Sequence, residues 1–284
     1  MFIPTFNKNL NNKKGAPIFD LGWGLMVSIR DWATYTPSNT AEVEGRRVPS
    51  PAMDEDEITM AYEVLSRVNL TPNTHLIFVA DTNNHPPDFH VVPELLGMGG
   101  LKVTVLNSLD DGIEQAIRSV PSVMVVVRGE PPAASVAIEF HKKGRVDVLK
   151  HEVRKEFMGF MRTSLTDERA LSDLLSEITL SNLPRIIKKL FRGRSRMSSI
   201  GVVSGYMSKP KILEKTIASL RLKSADLSPV KEVLKAGFKG HIAAALSLVK
   251  GLERCYNIGK TKMLFIGEAT GGGVYVVVMR CKSK

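Results

Sequence analysis

Along the chain, apolar residues gather into two kinds of run. Short stretches rich in Val, Ile, Leu and Phe occur at Leu21–Ile29, His75–Ala80, Lys102–Leu106, Ser122–Val127, Lys262–Gly267 and Gly273–Met279, and their composition predicts buried strands. Between them the spacing turns helical. From Asp56 to Val68 the apolar positions Ile58, Met60, Ala61, Val64, Leu65 and Val68 follow a helical period, behind an acidic start that suits a helix N-terminus. Further helices are predicted at Asp110–Ser119, Asp167–Glu177, Pro210–Ser219 and Ile242–Arg254. Strands alternating with helices predict a layered α/β protein.

Two of these strands look alike. Thr74-His-Leu-Ile-Phe-Val-Ala-Asp and Thr261-Lys-Met-Leu-Phe-Ile-Gly-Glu each start with Thr and a basic residue, cross four apolar positions and reach a carboxylate. Any two buried strands share some of this pattern; the alternative is an internally duplicated fold.

Composition narrows the class. The chain has 284 residues, 43% hydrophobic and 24% charged, which is globular and large enough for a substantial core. Cys255 and Cys281 are the only cysteines and form no CxxC spacing, which argues against a disulfide framework or a zinc site and fits a reducing compartment. No apolar run approaches the roughly 18–20 residues of a membrane span. Residues 1–18 are Asn- and Lys-rich without the apolar centre of a signal peptide, so a flexible tail and a cytoplasmic protein are expected. His85-Pro-Pro-Asp-Phe-His90 lacks further ligands nearby, and no metal is expected.

The sequence Val48-Pro-Ser-Pro-Ala-Met-Asp-Glu-Asp-Glu-Ile-Thr-Met-Ala-Tyr-Glu, followed by the strand ending Val79-Ala-Asp-Thr, resembles the start of archaeal-type hydroxymethylglutaryl-CoA synthases. Upstream, Gly22-Trp-Gly-Leu-Met-Val-Ser-Ile-Arg-Asp-Trp-Ala-Thr-Tyr-Thr-Pro is similar to the opening strand and turn of that family. Gly240-His-Ile-Ala-Ala-Ala-Leu-Ser-Leu-Val, then Lys262–Gly267 and Gly271-Gly-Gly-Val-Tyr, looks like its closing region and that of ketoacyl-carrier-protein synthase III. The resemblance covers roughly residues 20–140 and 195–282. It implies the thiolase-like fold, a five-layered αβαβα sandwich built from two similar halves. The halves would be 19–141 and 200–284, joined by a divergent, helical, basic segment 142–199.

The resemblance also implies chemistry through an acyl-cysteine, whose thiolate attacks a thioester. The nucleophile should open the helix after the second core strand, where Asn107-Ser108-Leu109-Asp-Asp-Gly places Ser108 or Leu109 instead. The acid/base Glu should follow the first core strand, where Ala80-Asp81-Thr-Asn83 offers Asp81. The family's His falls near Ser204 or Tyr206, and its closing Asn near His241. Ser108, Asp81 and His241 are therefore the weak catalytic candidates. Asn83, Asn107, Leu109, Gly271, Gly272 and Gly273 are the candidate pocket loops.

The net charge is +10, and the excess is local: eleven Lys/Arg against Glu214 alone between Arg185 and Lys223. Lys188, Lys189, Arg192, Arg194 and Arg196 form a solvated face, a dock for coenzyme A phosphates or an acidic carrier protein, or a nucleic-acid or anionic-membrane contact. The expectation is a degenerate condensing-enzyme homologue. It would act as a non-catalytic subunit, a homodimer or a heteromer with a thiolase-family protein, with a coenzyme A thioester as possible ligand. The alternatives are an acyltransferase with altered catalytic residues, and a basic scaffold that binds nucleic acid.

Overall fold

The computed structural model describes residues 27–81, 86–154, 183–191, 197–222, 224–259, 261–269 and 273–282. Through them the chain passes twice along one plan. The first pass is β1 (Val27–Tyr35), a hairpin of β2 (Thr40–Val43) and β3 (Arg46–Pro49), α1 (Glu57–Leu65), β4 (His75–Ala80), α2 (Val92–Leu95), β5 (Lys102–Leu106), α3 (Leu109–Arg118), β6 (Ser122–Arg128) and β7 (Ala134–His141). The second is β8 (Val146–Arg154), α4 (183–190), β9 (Ile200–Tyr206), α5 (Pro210–Ser219), α6 (Ser228–Lys235), α7 (Gly240–Ile258), β10 (Lys262–Ala269) and β11 (Gly273–Cys281).

The main sheet has the order β5-β4-β6-β7-β1-β8-β11-β10-β9. In the first half β5, β4 and β6 are parallel neighbours, and β7 runs antiparallel to both β6 and β1. In the second, β9 and β10 are parallel, and β11 runs antiparallel to both β10 and β8. Thus β8, β9, β10 and β11 repeat β1, β4, β6 and β7. The counterpart of β5 is reduced to one bridge, Val202 to Asp226. The halves join through three residue pairs between β1 and β8. Beside this seam Asp147, 5% exposed, accepts Ser28 Oγ and meets Arg280 and Lys282. Burial pushes its carboxyl up, but these donors outweigh that and hold it below its usual range.

Side-chain alternation builds five layers. On β4, Leu76 and Phe78 face α1 in an outer core, while Ile77 and Val79 face inward. On β10, Leu264 and Ile266 face the outer core with α5, while Met263 and Phe265 face inward. The inward faces of both halves close on α3 and α7, which form the central layer. The expected αβαβα sandwich of two similar halves is what the chain forms.

Both central helices seat through a glycine. A Cβ on Gly112 of α3 would lie 2.6 Å from Val79 and 3.2 Å from Met124, on β4 and β6. A Cβ on Gly251 of α7 would lie 2.7 Å from Ser204 and 2.8 Å from Met263, on the twin strands β9 and β10. Val79 and Ser204 are each the fifth residue of their strand.

Several expectations change. The sequence likeness of β4 and β10 does not mark equivalent positions, since β4 corresponds to β9 and β10 to β6; buried parallel strands share an apolar pattern wherever they sit. The segment expected to be helical opens with β8, whose Asp147, Lys150 and His151 interrupt the apolar run. The first strand extends to Tyr35 across a bulge between Ile29 and Asp31, which hides its period. The helix predicted at Asp167–Glu177 lies outside the described residues. Cys255, in the last turns of α7, and Cys281, at the end of β11, form a disulfide with Cα atoms 5.9 Å apart. That corrects the expectation of no disulfide: tertiary proximity rather than sequence spacing brings them together, and the argument for a reducing compartment loses this support.

Candidate functional site

The ends of β4, β6, β9 and β10 converge on the N-terminus of α7. Helix N-termini present unpaired amides and a positive dipole end, and the residue before α7, Lys239, provides no side-chain cap. The other half supplies it. Asp81, just past β4, accepts the Ile242 amide at 2.8 Å and lies 3.7 Å from Arg128. Gly240 has φ +72°, and a Cβ there would lie 2.7 Å from the Asp81 carboxylate, so the glycine permits this approach.

Tyr206, at the end of β9, occupies the place on its strand that corresponds to Asp81. Burial pushes its phenol above the ordinary range, the Gly240 amide pulls it down through a hydrogen bond, and Glu268 and Asp81 push it up again. The net rise keeps the hydroxyl protonated near neutrality. Glu268 accepts the amide and hydroxyl of Ser208 at 2.8 and 2.9 Å.

Around these groups lies a cleft of about 280 Å³ lined by Tyr206, His241, Glu268, Ala244, Ala269 and Tyr275, with Gly240 at its edge. A second cleft, about 430 Å³, shares Tyr206 and opens toward the β2–β3 hairpin. Arg46, Arg128 and Lys239 line it, with Glu44. One chamber thus offers a phenol, an imidazole and a carboxylate; its neighbour holds Arg46 beside two cations already engaged, Lys239 with Glu44 at 3.2 Å and Arg128 with Asp81 and Glu130 at 3.7 and 3.5 Å.

No protein-family model and no curated protein matches the sequence. Solved structures do match in shape. The chain is similar to 3-oxoacyl-(acyl carrier protein) synthase III from Pseudomonas aeruginosa PAO1 with a TM-score of 0.67 and 13% identity, covering 91% of this chain and 99% of that one. It is similar to the acyltransferase ChlB3 with a TM-score of 0.65 and 12% identity, covering 91% and 98%. An HMG-CoA synthase complexed with CoA gives 0.62 and 13%, covering 91% and 83%. The chain has the thiolase fold.

In thiolase-fold terms the sequence candidates separate. Asp81 and His241 come together at the N-terminus of α7. Ser108 and Leu109 open α3 and line none of the clefts described. Ser108 is 3% exposed; its hydroxyl donates to the Asp111 carboxylate at 2.7 Å and accepts the Asp111 amide at 3.3 Å, a reciprocal helix cap. Leu109 is fully buried in the central layer. Asn107 is exposed, and Gly273 begins β11 opposite Ala269. Ser204 lies beneath α7 at Gly251. Lys188 is exposed on α4 and Lys189 is half-buried. Asn83, Arg192, Arg194, Arg196, Gly271 and Gly272 lie outside the described residues.

The twin glycines add a measure that the sequence does not provide. Gly112 is the fourth residue of α3 and Gly251 the twelfth of α7. Aligned on them, α7 begins eight residues earlier, about 12 Å at 1.5 Å per residue. The turns of α7 that carry Gly240 and His241 to the cleft have no equivalent in α3. Sequence reasoning also missed Arg128 and Tyr275. A tyrosine within the apolar run of β11 was the available signal for Tyr275.

Proposed function

We propose that this chain is a thiolase-fold homologue without acyl-cysteine chemistry. It serves as a non-catalytic subunit that docks a partner protein and holds an acyl-CoA-like ligand. The observation that carries the reading is the opening of α3, two turns short of its twin, capped by Ser108 and sealed by Leu109. Both cysteines of the chain stand elsewhere, joined to each other. A thiolate is the reactive form of cysteine, and no free cysteine is left among the described residues to supply it.

For the ligand, the cleft beside Tyr206, with Arg46 and Arg128 in its wall, supports a coenzyme A thioester, as does the likeness to a synthase solved with CoA. For the partner, β5 forms one edge of the sheet with Val103, Val105 and Leu106 half-buried, leaving backbone groups to pair with another chain. Pairing there gives a homodimer or a heteromer with a thiolase-family protein. Calorimetric titration with acetyl-CoA tests the ligand: binding is expected without release of free CoA above the buffer rate, and Ala244→Leu should abolish it. Purification from the native host, with Val105→Lys as control, tests the partner. A solitary monomer, unchanged by that substitution, would count against it.

A second reading, an enzyme with altered chemistry, is favoured by one observation: Tyr206, His241 and Glu268 share a chamber. Release of CoA from acetyl-CoA that depends on His241 would decide for it.

A further inference from the structure

The start of β10 carries charge that the cleft does not use. Ala269, at the other end of that strand, lines the cleft, which places Lys262 roughly 23 Å from it at about 3.3 Å per residue. Lys262 pairs across the sheet with Arg280 on β11, and Arg280 with Asp147 on β8. Lys282 follows, and its amide donates to the Arg145 carbonyl at 3.1 Å. Arg145 closes the β7–β8 turn, which also carries the exposed Lys142 and Lys143. The turn is pressed onto β1: the Arg145 amide donates to the Ile29 carbonyl at 2.9 Å, and a Cβ on Gly144 would stand 2.3 Å from that oxygen. Lys142, Lys143, Arg145, Lys262, Arg280 and Lys282 thus form one band over adjoining strand ends.

Counter-charge along the band is scarce. The buried Asp147 meets both Arg280 and Lys282, at 3.1 and 2.9 Å, and Asp31 meets Arg145 at 3.4 Å. Among the described residues, Lys142, Lys143 and Lys262 meet no carboxylate. Burial, then the charge of Arg280, hold the Lys262 ammonium below its ordinary range. Aromatic rings interrupt the band. The Arg145 guanidinium lies 5.8 Å from the centre of the Trp32 ring and 5.6 Å from that of Tyr256, and both residues keep part of their surface exposed. The two rings meet edge to face with centroids 6.4 Å apart. Charge alone suits any polyanion; rings and a planar guanidinium set among lysines suit bases strung on phosphates.

We propose that this band binds single-stranded nucleic acid, with the lysines on its phosphates and a base stacked on the Arg145–Trp32–Tyr256 cluster. The inference is independent of the ligand reading of the cleft, and it involves none of the cations between 185 and 223 that the sequence singles out.

Fluorescence anisotropy of a labelled single-stranded RNA of mixed sequence, titrated with the full chain over a range of salt, tests it. Lys142→Gln with Lys143→Gln should weaken binding about tenfold at low salt. The same pair should lower the slope of log affinity against log salt by about 1.4, two phosphate contacts at about 0.7 each. Arg145→Lys keeps the charge and loses the planar group. It should weaken RNA about fivefold with the slope unchanged, the low end of base stacking, and leave heparin, a polyanion without bases, unaffected. If Arg145→Lys does not fold, Tyr256→Leu removes a ring and gives the same reading. An unchanged slope and affinity in the double lysine variant, or no RNA binding at low salt, would overturn the band. Equal responses of RNA and heparin to Arg145→Lys, or polyglutamate bound as tightly as RNA, would overturn the nucleic-acid assignment.

Discussion

α3 and α7 hold twin places between the sheets, each seated on its strands by a glycine, yet they are finished differently. α3 opens with its own cap and a buried leucine. α7 runs two turns further, takes its cap from Asp81 of the other half, and opens on a cleft. The sheet edges differ in the opposite sense. β5 stands as an edge, whereas β9 has that side occupied: the Val203 amide donates to Asp226, the Asp226 amide donates to Gly201, and the Gly205 amide donates to Ser247 of α7. Duplication thus left a closed helix with an open edge in one half, and an open helix with a closed edge in the other. The first half leaves an unpaired sheet edge and the second a chamber.

Four sets of substitutions probe the contrast between the two halves. The largest effect should come from the disulfide, which lies wholly in the second half. Cys255→Ser with Cys281→Ser should cost about 3 kcal/mol for the loop that the bridge closes, measured by urea unfolding; no loss would show that the bridge does not form. Next are the two seats. Gly112→Ala and Gly251→Ala should each cost about 2 kcal/mol through overpacking. A cost at only one would mean that the helices are not seated alike.

The caps come third. Ser108→Ala should lower stability by about 1 kcal/mol and leave acetyl-CoA titration unchanged, because α3 is closed. Asp81→Ala should cost a similar amount and also weaken the titration, because it frees the N-terminus of α7 at the cleft. Identical ligand effects from the two would erase the contrast. The smallest effect is on pH dependence. His75 in β4 is 5% exposed, with Nε2 on Thr104 Oγ1 at 2.8 Å, and burial, then Lys102, hold its pKa below the ordinary value. The folded state takes up this proton less readily than the unfolded chain. Its contribution is therefore complete above about pH 6.5 and is lost as pH falls below that value. His75→Gln should flatten that part of the profile of urea midpoint against pH.

Much of the fold was legible because β4, β5, β6 and β10 carry continuous apolar runs, and α1, α3, α5 and α7 a clear helical period. β7 was missed because Ala134, Ser135 and Ala137 dilute its pattern, and β8 because charged residues at the seam interrupt it. At the site, Asp81 and His241 could be picked out by the resemblance. Their convergence could not, since it depends on how far α7 projects beyond its glycine seat. The disulfide was illegible for the same reason: Cys255 and Cys281 meet only when α7 and β11 pack. Tyr275 reads as one more strand residue until Gly267, its cross-strand partner, is found beneath its ring.

If, as proposed, no nucleophile of this chain takes an acyl group, intact-mass spectrometry after incubation with acetyl-CoA should find an unchanged mass, with acetyl-CoA bound reversibly and lost on denaturation. A stable acetyl adduct on Ser108, or on any residue lining the Tyr206–His241 cleft, would contradict it.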